Sequence, residues 1–271
     1  MKWTVAAVLC IAFAIRTSGQ AQVQNVPVVI TSDYYAQPKV LVLHALNNLG
    51  KDITGYTMII RHKNPDGTVD NGGRTEHTSD MLSLLITTQM AKDPDASDRV
   101  RMQNVANTSF PAGTGIFVAG ETRDMTLTGI NSGSELDITA GVVFYTDGSY
   151  DQTNEDAFKR LLGMRQGALQ QMREANESIR NALADTTNEH PVAVALAELN
   201  KRRAEAMEKP NQGGFFPMDL GGLRYLQQPG YGEQKGKTER ERLTQYVEEQ
   251  EKKVELMTPH CHLEIAVQDK K

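Results

Sequence analysis

The chain has 271 residues, enough to bury a sizeable core in one large domain or in two smaller units. Its formal net charge is −5, without the basic excess that neutralises phosphates, so nucleic acid and anionic membrane surfaces are poor candidate partners. Hydrophobic residues make up 39% of the chain and the mean hydropathy is −0.45, values typical of a soluble protein with a large polar surface.

The first 21 residues have the layout of a secretory signal peptide. Lys2 supplies the positive charge, residues 3–15 are apolar, and the small residues Gly19 and Ala21 stand before the expected cleavage point. The apolar run is shorter than the ~20 residues of a membrane span, so a retained anchor is the less favoured alternative. We therefore expect residues 1–21 to be removed and the mature protein to be secreted or periplasmic, not an integral membrane protein.

Cleavage changes both the charge and the cysteine count. Loss of Lys2 and Arg16 leaves 27 basic and 34 acidic residues, a formal charge of −7. Cys10 leaves with the leader, and Cys261 becomes the sole cysteine of the mature chain. A single cysteine cannot close an internal disulfide, so we expect the stability of the fold to come from core burial.

Residues 22–152 contain short apolar runs separated by Gly, Asn and Asp turn signals, a rhythm typical of an antiparallel β-sandwich. Residues 39–46 are almost continuously apolar, which predicts a strand covered on both faces. Residues 135–146 alternate before the Asp147-Gly148 turn, which predicts a strand with one buried face. Residues 74–98 interrupt this rhythm and predict a short helix followed by a solvated loop.

From Thr153 onward the apolar residues recur at helical spacing. Residues 153–210 predict a helical hairpin, with Pro191 at a favourable first position of its second helix. Residues 211–237 are rich in Gly and Pro and predict a linker, and residues 238–271 predict a third helix followed by a terminal strand. The predicted fold class is α+β: an antiparallel immunoglobulin-like β-sandwich, a C-terminal helical extension and a final strand.

Part of the sandwich region resembles a known family. Residues 41–68, LVLHALNNLGKDITGYTMIIRHKNPDGT, contain an Asn-Asn-x-Gly-Lys-x-Ile turn motif, and residues 118–129, VAGETRDMTLTG, contain Gly-Glu-Thr. In these motifs the chain resembles FxLYD-like extracytoplasmic sandwich domains of uncharacterised exported bacterial proteins, although MIIRHK stands where the family has its Phe-x-Leu-Tyr-Asp run. The resemblance implies a sandwich fold and an extracytoplasmic location, and it brings no catalytic residue with it.

The sequence lacks the signatures of common enzymes. It contains no G-x-S-x-G elbow, no H-E-x-x-H, no C-x-x-C and no P-loop. The acidic turn at residues 145–156 offers oxygens for calcium, but it lacks the EF-hand order, and acids at a helix start need no metal. Among 34 acidic residues chance carboxylate pairs are common, and no pair stands out as a glycosidase site. We therefore expect a non-enzymatic protein without a cofactor.

Residues 259–268, PHCHLEIAVQ, combine two histidines with the cysteine of the mature chain. Strand alternation predicts that Cys261 faces the core, which removes it from any site built by the histidines. The opposite face then carries His260, His262 and Glu264, a row that zinc could use if a further ligand converged on it. We favour a plain amphipathic strand that pairs with the sandwich, and we keep metal binding by these three residues as the alternative.

The preferred function is that of an exported, non-enzymatic β-sandwich protein with a structural or binding role in the cell envelope or extracellular space. Its partner would be a protein or another envelope component, which the sequence does not identify. The alternative is an exported metal-binding protein that uses His260 and His262 on the terminal strand. The remaining histidines, at positions 44, 62, 77 and 190, are expected to be structural.

Overall fold

Antiparallel strands occupy the first half of the chain and helices dominate the second. The computed structural model describes residues 28–35, 40–64, 66–108, 115–128, 136–207, 223, 224, 226, 227 and 235–261. The strands are β1 (Val28–Tyr35), β2 (Val40–Asn47), β3 (Ile53–Lys63), β4 (Val69–Asp80), β5 (Thr122–Thr128), β6 (Leu136–Tyr145) and β7 (Tyr150–Gln152). The α-helices are α1 (Leu82–Ala91), α2 (Asp98–Thr108), α3 (Glu155–Ala184), α4 (Pro191–Met207) and α5 (Glu239–Met257).

The strands form two sheets that share one apolar core. One sheet has the order β1-β2-β5 and the other has the order β4-β3-β6-β7, and all pairings are antiparallel. Leu41 and Leu43 of β2 are buried in the same cluster as Met58 and Ile60 of β3 and Val143 of β6. The α+β class, with antiparallel strands ahead of a helical C-terminal region, is therefore confirmed.

Strand β2 is buried on one face. Leu41, Leu43 and Ala45 are at most 5% exposed, whereas the alternate residues, His44 among them, are partly exposed. The prediction that residues 39–46 are covered on both faces is therefore wrong for the described part of that run. An apolar run does not reveal whether its outer face is covered, because folded proteins keep many apolar side chains partly in water.

The region between β3 and β5 contains more regular structure than the sequence predicts. Strand β4 continues to Asp80, so residues 74–80 belong to the sheet and not to an insertion. Helix α1 follows as predicted, and Asp80 accepts a hydrogen bond from the backbone N–H of Leu82 at 3.1 Å, which satisfies one donor of the helix start. Helix α2 is absent from the prediction; its Val100 is buried in the same cluster as residues of α1.

Helix α3 connects the sheets to the rest of the molecule. It has 30 residues and is about 45 Å long at 1.5 Å per residue, and Asn154 caps it by accepting from the N–H of Ala157 at 2.9 Å. Its first turns pack on the outer face of the β4-β3-β6-β7 sheet through Phe158 and Leu161. Further along, it packs against α1 and the end of α5, and then against α4 and α5. One helix thus joins three apolar clusters.

Helix α5 leads into the C-terminal turn. A capping box of Thr238 and Glu241 begins the helix, and residues Thr258–His260 continue it as a 3₁₀ turn to Cys261. The backbone N–H of Cys261 donates to the carbonyl of Thr258 at 3.1 Å, so the chain is still helical where a strand was expected. The prediction of a strand is therefore wrong for residues 259–261, and residues 262–268 lie outside the described part of the chain.

Two further predicted segments lie largely beyond the described residues. The leader, residues 1–21, is not described, and neither is most of the linker, residues 211–237. Within the described part of the linker, Leu223 and Leu226 are buried against the helices. Among the described helices, none has the length and apolar character needed to cross a membrane.

Candidate functional site

Arg165 of α3 is the largest fully buried side chain in the described part of the chain, with 1% of the side chain exposed. Its Nε lies 3.2 Å from both carboxylate oxygens of Asp80, and its Nη2 donates to Oδ1 at 2.8 Å. Nη2 also donates to the carbonyl of Thr54 at 3.1 Å, and the guanidinium lies 4.5 Å above the ring of Phe144. A planar, delocalised cation suits this forked and stacked arrangement better than a lysine would.

These contacts attach the helix to three neighbouring strands. Thr54 lies in β3, Asp80 ends β4 and Phe144 lies in β6. Gly55 leaves room for the guanidinium, because a Cβ there would lie 2.7 Å from Nη2 of Arg165. The buried arginine therefore fixes the position of α3 on the end of the sheet.

The C-terminal turn packs at the same place. Gln166 donates to the carbonyl of Cys261 at 3.0 Å, and the thiol of Cys261 lies 3.6 Å from the carbonyl of Arg165. Arg173 donates to the hydroxyl of Thr258 at 3.2 Å. We call the following residues together the polar joint: Thr54, Asp80, Phe144, Arg165 and the turn 258–261.

His260 is the member of the polar joint with an unsatisfied polar atom. The residue is 7% exposed, and its Nδ1 has no hydrogen-bond partner among the residues that the structure describes. Burial lowers the pKa of His260 and Arg165 lowers it further, while Asp147 and Asp80 act in the opposite direction. The ring is therefore neutral at pH 7, and a buried ring nitrogen without a partner is uncommon in folded proteins.

Cys261 is fully buried, as the sequence predicts. Burial raises the pKa of its thiol to about 11, so the group is protonated at neutral pH. Because the thiolate is the nucleophilic and metal-binding form of cysteine, this thiol acts as a small apolar side chain.

The predicted division of His260 and Cys261 between two strand faces is wrong. Both side chains are buried, because a 3₁₀ turn does not alternate its residues between two faces as a strand does. The charged and nucleophilic groups of the joint are nevertheless not in a reactive form. The thiol is protonated, the imidazole is neutral, and Arg165 and Asp80 form an ion pair. What the joint does is hold α3 and the C-terminal turn to the sheet.

The proposed metal ligands are only partly described. His260 is described, whereas His262 and Glu264 lie outside the described residues. Within the part of the chain that is described, no group of three or more His, Cys, Asp or Glu residues could hold a metal ion. Among the described residues, the structure therefore brings no ligand set to His260.

The acidic turn between β6 and β7 binds protein groups. Asp147 contacts Lys51 at 2.7 Å and accepts from the backbone N–H of Ser149 at 2.9 Å, and these contacts lower the pKa of Asp147 to about 2. Gly148 has a φ of 82°, which the turn requires and which glycine adopts without strain. These contacts agree with the structural interpretation of the turn.

Neither Arg165 nor Asp80 stands out from the sequence pattern as a site residue. The helical stripe of α3 passes through Leu161, Leu162 and Leu169, and position 165 falls between them on the same face. An arginine on an otherwise apolar face was therefore a usable signal of a buried ion pair. Its partner Asp80 could not be read from the pattern, because it lies 85 residues away in the chain.

Comparison with known proteins gives little. The chain matches no protein-family model, and no curated protein matches it significantly. Among solved structures, a hypothetical protein from Peptoclostridium difficile 630 is similar over 51% of this chain and 91% of that chain, with 14% sequence identity and a TM-score of 0.26. At that TM-score the likeness says nothing about the fold or the activity of this chain.

Proposed function

We propose that this chain is an exported, non-enzymatic protein with a structural or binding role in the cell envelope or extracellular space. The observation that carries the proposal is the polar joint, in which the buried Arg165 of a helix contacts groups on three strands, the partly exposed Asp80 among them. Catalytic groups differ from these, since their pKa values are matched to a proton transfer and they face a substrate. The joint attaches the long helix to the sheet, and such a fixed attachment suits a scaffold or a binding module.

We also propose that the two sheets are an immunoglobulin-like sandwich. The chain passes from one sheet to the other after β2, after β4 and after β5, a connectivity found in Greek-key sandwiches. The apolar cluster shared by the two sheets supports this assignment. The resemblance of residues 41–68 to extracytoplasmic sandwich domains, and the leader-like residues 1–21, support export.

Export is tested by the mass and the location of the mature protein. In cells that produce the full chain, we expect a product that begins at Gln22 and is found outside the cytoplasm. An Ala21→Leu variant is the matched control, because a large residue before the cleavage point blocks processing. Full-length protein confined to the cytoplasm would contradict the proposal.

The binding role is tested by photo-crosslinking in the producing cells. Crosslinking side chains at exposed Met164 of α3, exposed Val194 of α4 and exposed Met102 of α2 sample three surfaces. We expect one surface to give a discrete adduct with an envelope component and the others to give none. Equal weak adducts at all three positions, or turnover of an ordinary small substrate by the purified protein, would contradict this role.

A second candidate function, metal binding through His260, His262 and Glu264, has one observation in its favour. The buried, neutral imidazole of His260 has an unpartnered Nδ1, and a neutral ring nitrogen is the form that binds metals. This candidate needs further ligands from outside the described residues, because His260 has no ligand set within them.

Elemental analysis and titration of the mature protein separate the two candidates. Metal binding predicts stoichiometric zinc, copper or nickel that is lost in the His260→Gln and His262→Gln variants. His190→Gln is the matched control, since His190 is exposed and lies in the turn before α4. Absence of stoichiometric metal in the unaltered protein would eliminate this candidate and leave the first one intact.

A further inference from the structure

The imidazole of His44 lies between two carboxylates on the outer face of the β1-β2-β5 sheet. His44 is in the central strand β2, Asp33 is in the edge strand β1, and Asp124 is in the edge strand β5. Nδ1 of the ring is 2.6 Å from Oδ1 of Asp124, and Nε2 is 3.3 Å from Oδ2 of Asp33. A single ring therefore contacts a carboxylate on each neighbouring strand.

The protonation state of the ring decides how many of these contacts are hydrogen bonds. A neutral imidazole has one N–H and one lone pair, so it donates to one carboxylate and turns a lone pair toward the other. An imidazolium donates to both, and both bonds are then charge-assisted. The contact with Asp124 is the shorter one, so the neutral ring keeps its proton on Nδ1 and donates to Asp124. The proton is lost from Nε2, and Asp33 then has no donor on the ring.

We propose that His44 is a pH-dependent tie that holds the edge strand β1 to its sheet while the ring is protonated. In the neutral state β1 keeps its backbone pairing with β2, and Asp33 no longer accepts a hydrogen bond from Nε2 of His44. An edge strand has a partner strand on one side only, so it opens more readily than a central strand. The tie belongs to the β1-β2-β5 sheet, whereas Arg165 contacts the other sheet, and the tie does not depend on the proposed function.

The charges around the ring set the direction of the pH dependence. The hydrogen bond with Asp124 is the main cause of a pKa of His44 above its usual 6.5; burial opposes it, and Asp33 adds to it. Within the described part of the chain, Asp33 and Asp124 are the charged groups that face the ring. Because the pKa is raised by folding, the tie stabilises β1 fully below pH 6.5 and is lost as the pH rises through the raised value.

Amide hydrogen exchange of the mature protein tests the proposal. We expect the protection of β1, corrected for intrinsic exchange rates, to fall about two- to fivefold between pH 5.5 and 8.5, the range of an exposed ion pair. His44→Gln and Asp33→Asn should remove this pH dependence. Asp124→Asn should move it to lower pH. His77→Gln is the matched control, since His77 lies in β4 of the other sheet and should leave β1 unchanged.

An NMR titration of the His44 ring in the unaltered protein gives a readout that does not require a folded variant. A midpoint above 6.5 supports the tie, and a midpoint at or below 6.5 overturns it. The proposal is also overturned if β1 keeps its full pH dependence in the His44→Gln or Asp33→Asn protein. The proposal is likewise overturned if the protection of β1 in the unaltered protein does not change between pH 5.5 and 8.5.

Discussion

Arg165 is the polar anchor of α3 on the sheet. Arg165 occupies a position that the apolar stripe of α3 would fill with a leucine, and it is buried with Asp80, Thr54 and Phe144 around it. A buried ion pair is a weak source of net stability, because desolvation offsets the attraction. Its consequence is specificity: a helix that slipped along the sheet would leave a buried charge without its partner.

The Arg165→Leu variant should therefore be strongly destabilised. Loss of one partner of a buried pair lowers the free energy of unfolding by about 3–5 kcal/mol, and we expect the lower end because Asp80 can regain water. Urea unfolding measures the change. Arg160→Leu is the control, since Arg160 is exposed and pairs with Glu76, and it should lose less than about 1 kcal/mol. Equal losses in the two variants would refute the special role of Arg165.

The thiol of Cys261 should react only when the joint opens. With its pKa at about 11 and no exposed surface, it should react with a thiol reagent at pH 8 at least about a hundredfold more slowly than in urea-unfolded protein. Stopped-flow absorbance with an aromatic disulfide on the mature chain measures both rates. A native rate within tenfold of the unfolded rate would show that the C-terminal turn is not packed as described.

At the scale of elements, α3 keeps two glycines where its face is open. A Cβ at Gly163 or Gly167 would meet nothing within 4 Å, and neither residue has a positive φ. Gly141 of β6 is different, since a Cβ there would lie 2.8 Å from Ile59 and 2.9 Å from Ala157. The same residue type is thus dispensable in the helix and required where the helix approaches the strand.

Alanine substitutions should separate these two roles of glycine. Gly167→Ala should raise the free energy of unfolding by about 0.5–1 kcal/mol, because alanine loses less backbone entropy in a helix. Gly141→Ala should lower it by about 1–3 kcal/mol through overpacking. Thermal and urea unfolding of both variants check the signs. A destabilised Gly167→Ala protein would mean that this face of α3 is covered.

At the scale of the whole molecule, the turn 258–261 attaches the end of α5 to α3 and lies beside the end of the sheet. The Pro259 carbonyl lies 4.0 Å from the position of a Cβ on Gly148. Ion pairs of Lys252 with Asp93 and of Arg180 with Glu251 join α5 to its neighbours elsewhere. Those pairs are at least partly exposed to water, so they add little, and the buried turn is the stronger anchor.

Two truncations of the mature chain locate this anchor. Deletion of residues 259–271 removes buried His260 and Cys261 and should lower the free energy of unfolding by about 2 kcal/mol or more. Deletion of residues 262–271 keeps the buried turn and should have a smaller effect. An equal loss in both would assign the anchor to the predicted terminal strand, and unchanged thermal stability in both would contradict any anchoring role.

Prediction from sequence worked where structure is local. The strand ending at Asp147-Gly148 and the helix starts near Thr153 and Thr238 follow from period, turn residues and caps, which act within a few residues. The prediction missed α2 and extended a strand into residues 259–261. Both errors have one cause, because tertiary contacts override weak local preference in short segments.

The sequence by itself determined the α+β order of elements and the expectation of export, since both depend on composition or local period. Cys261 is buried as expected, but in a 3₁₀ turn and not on the strand face from which its burial was predicted. Only the tertiary structure decided which polar groups meet. Arg165 finds Asp80 at a separation of 85 residues, and His44 finds Asp124 at a separation of 80. Such pairs leave no periodic trace, because the fold and not the chain brings them within hydrogen-bonding distance.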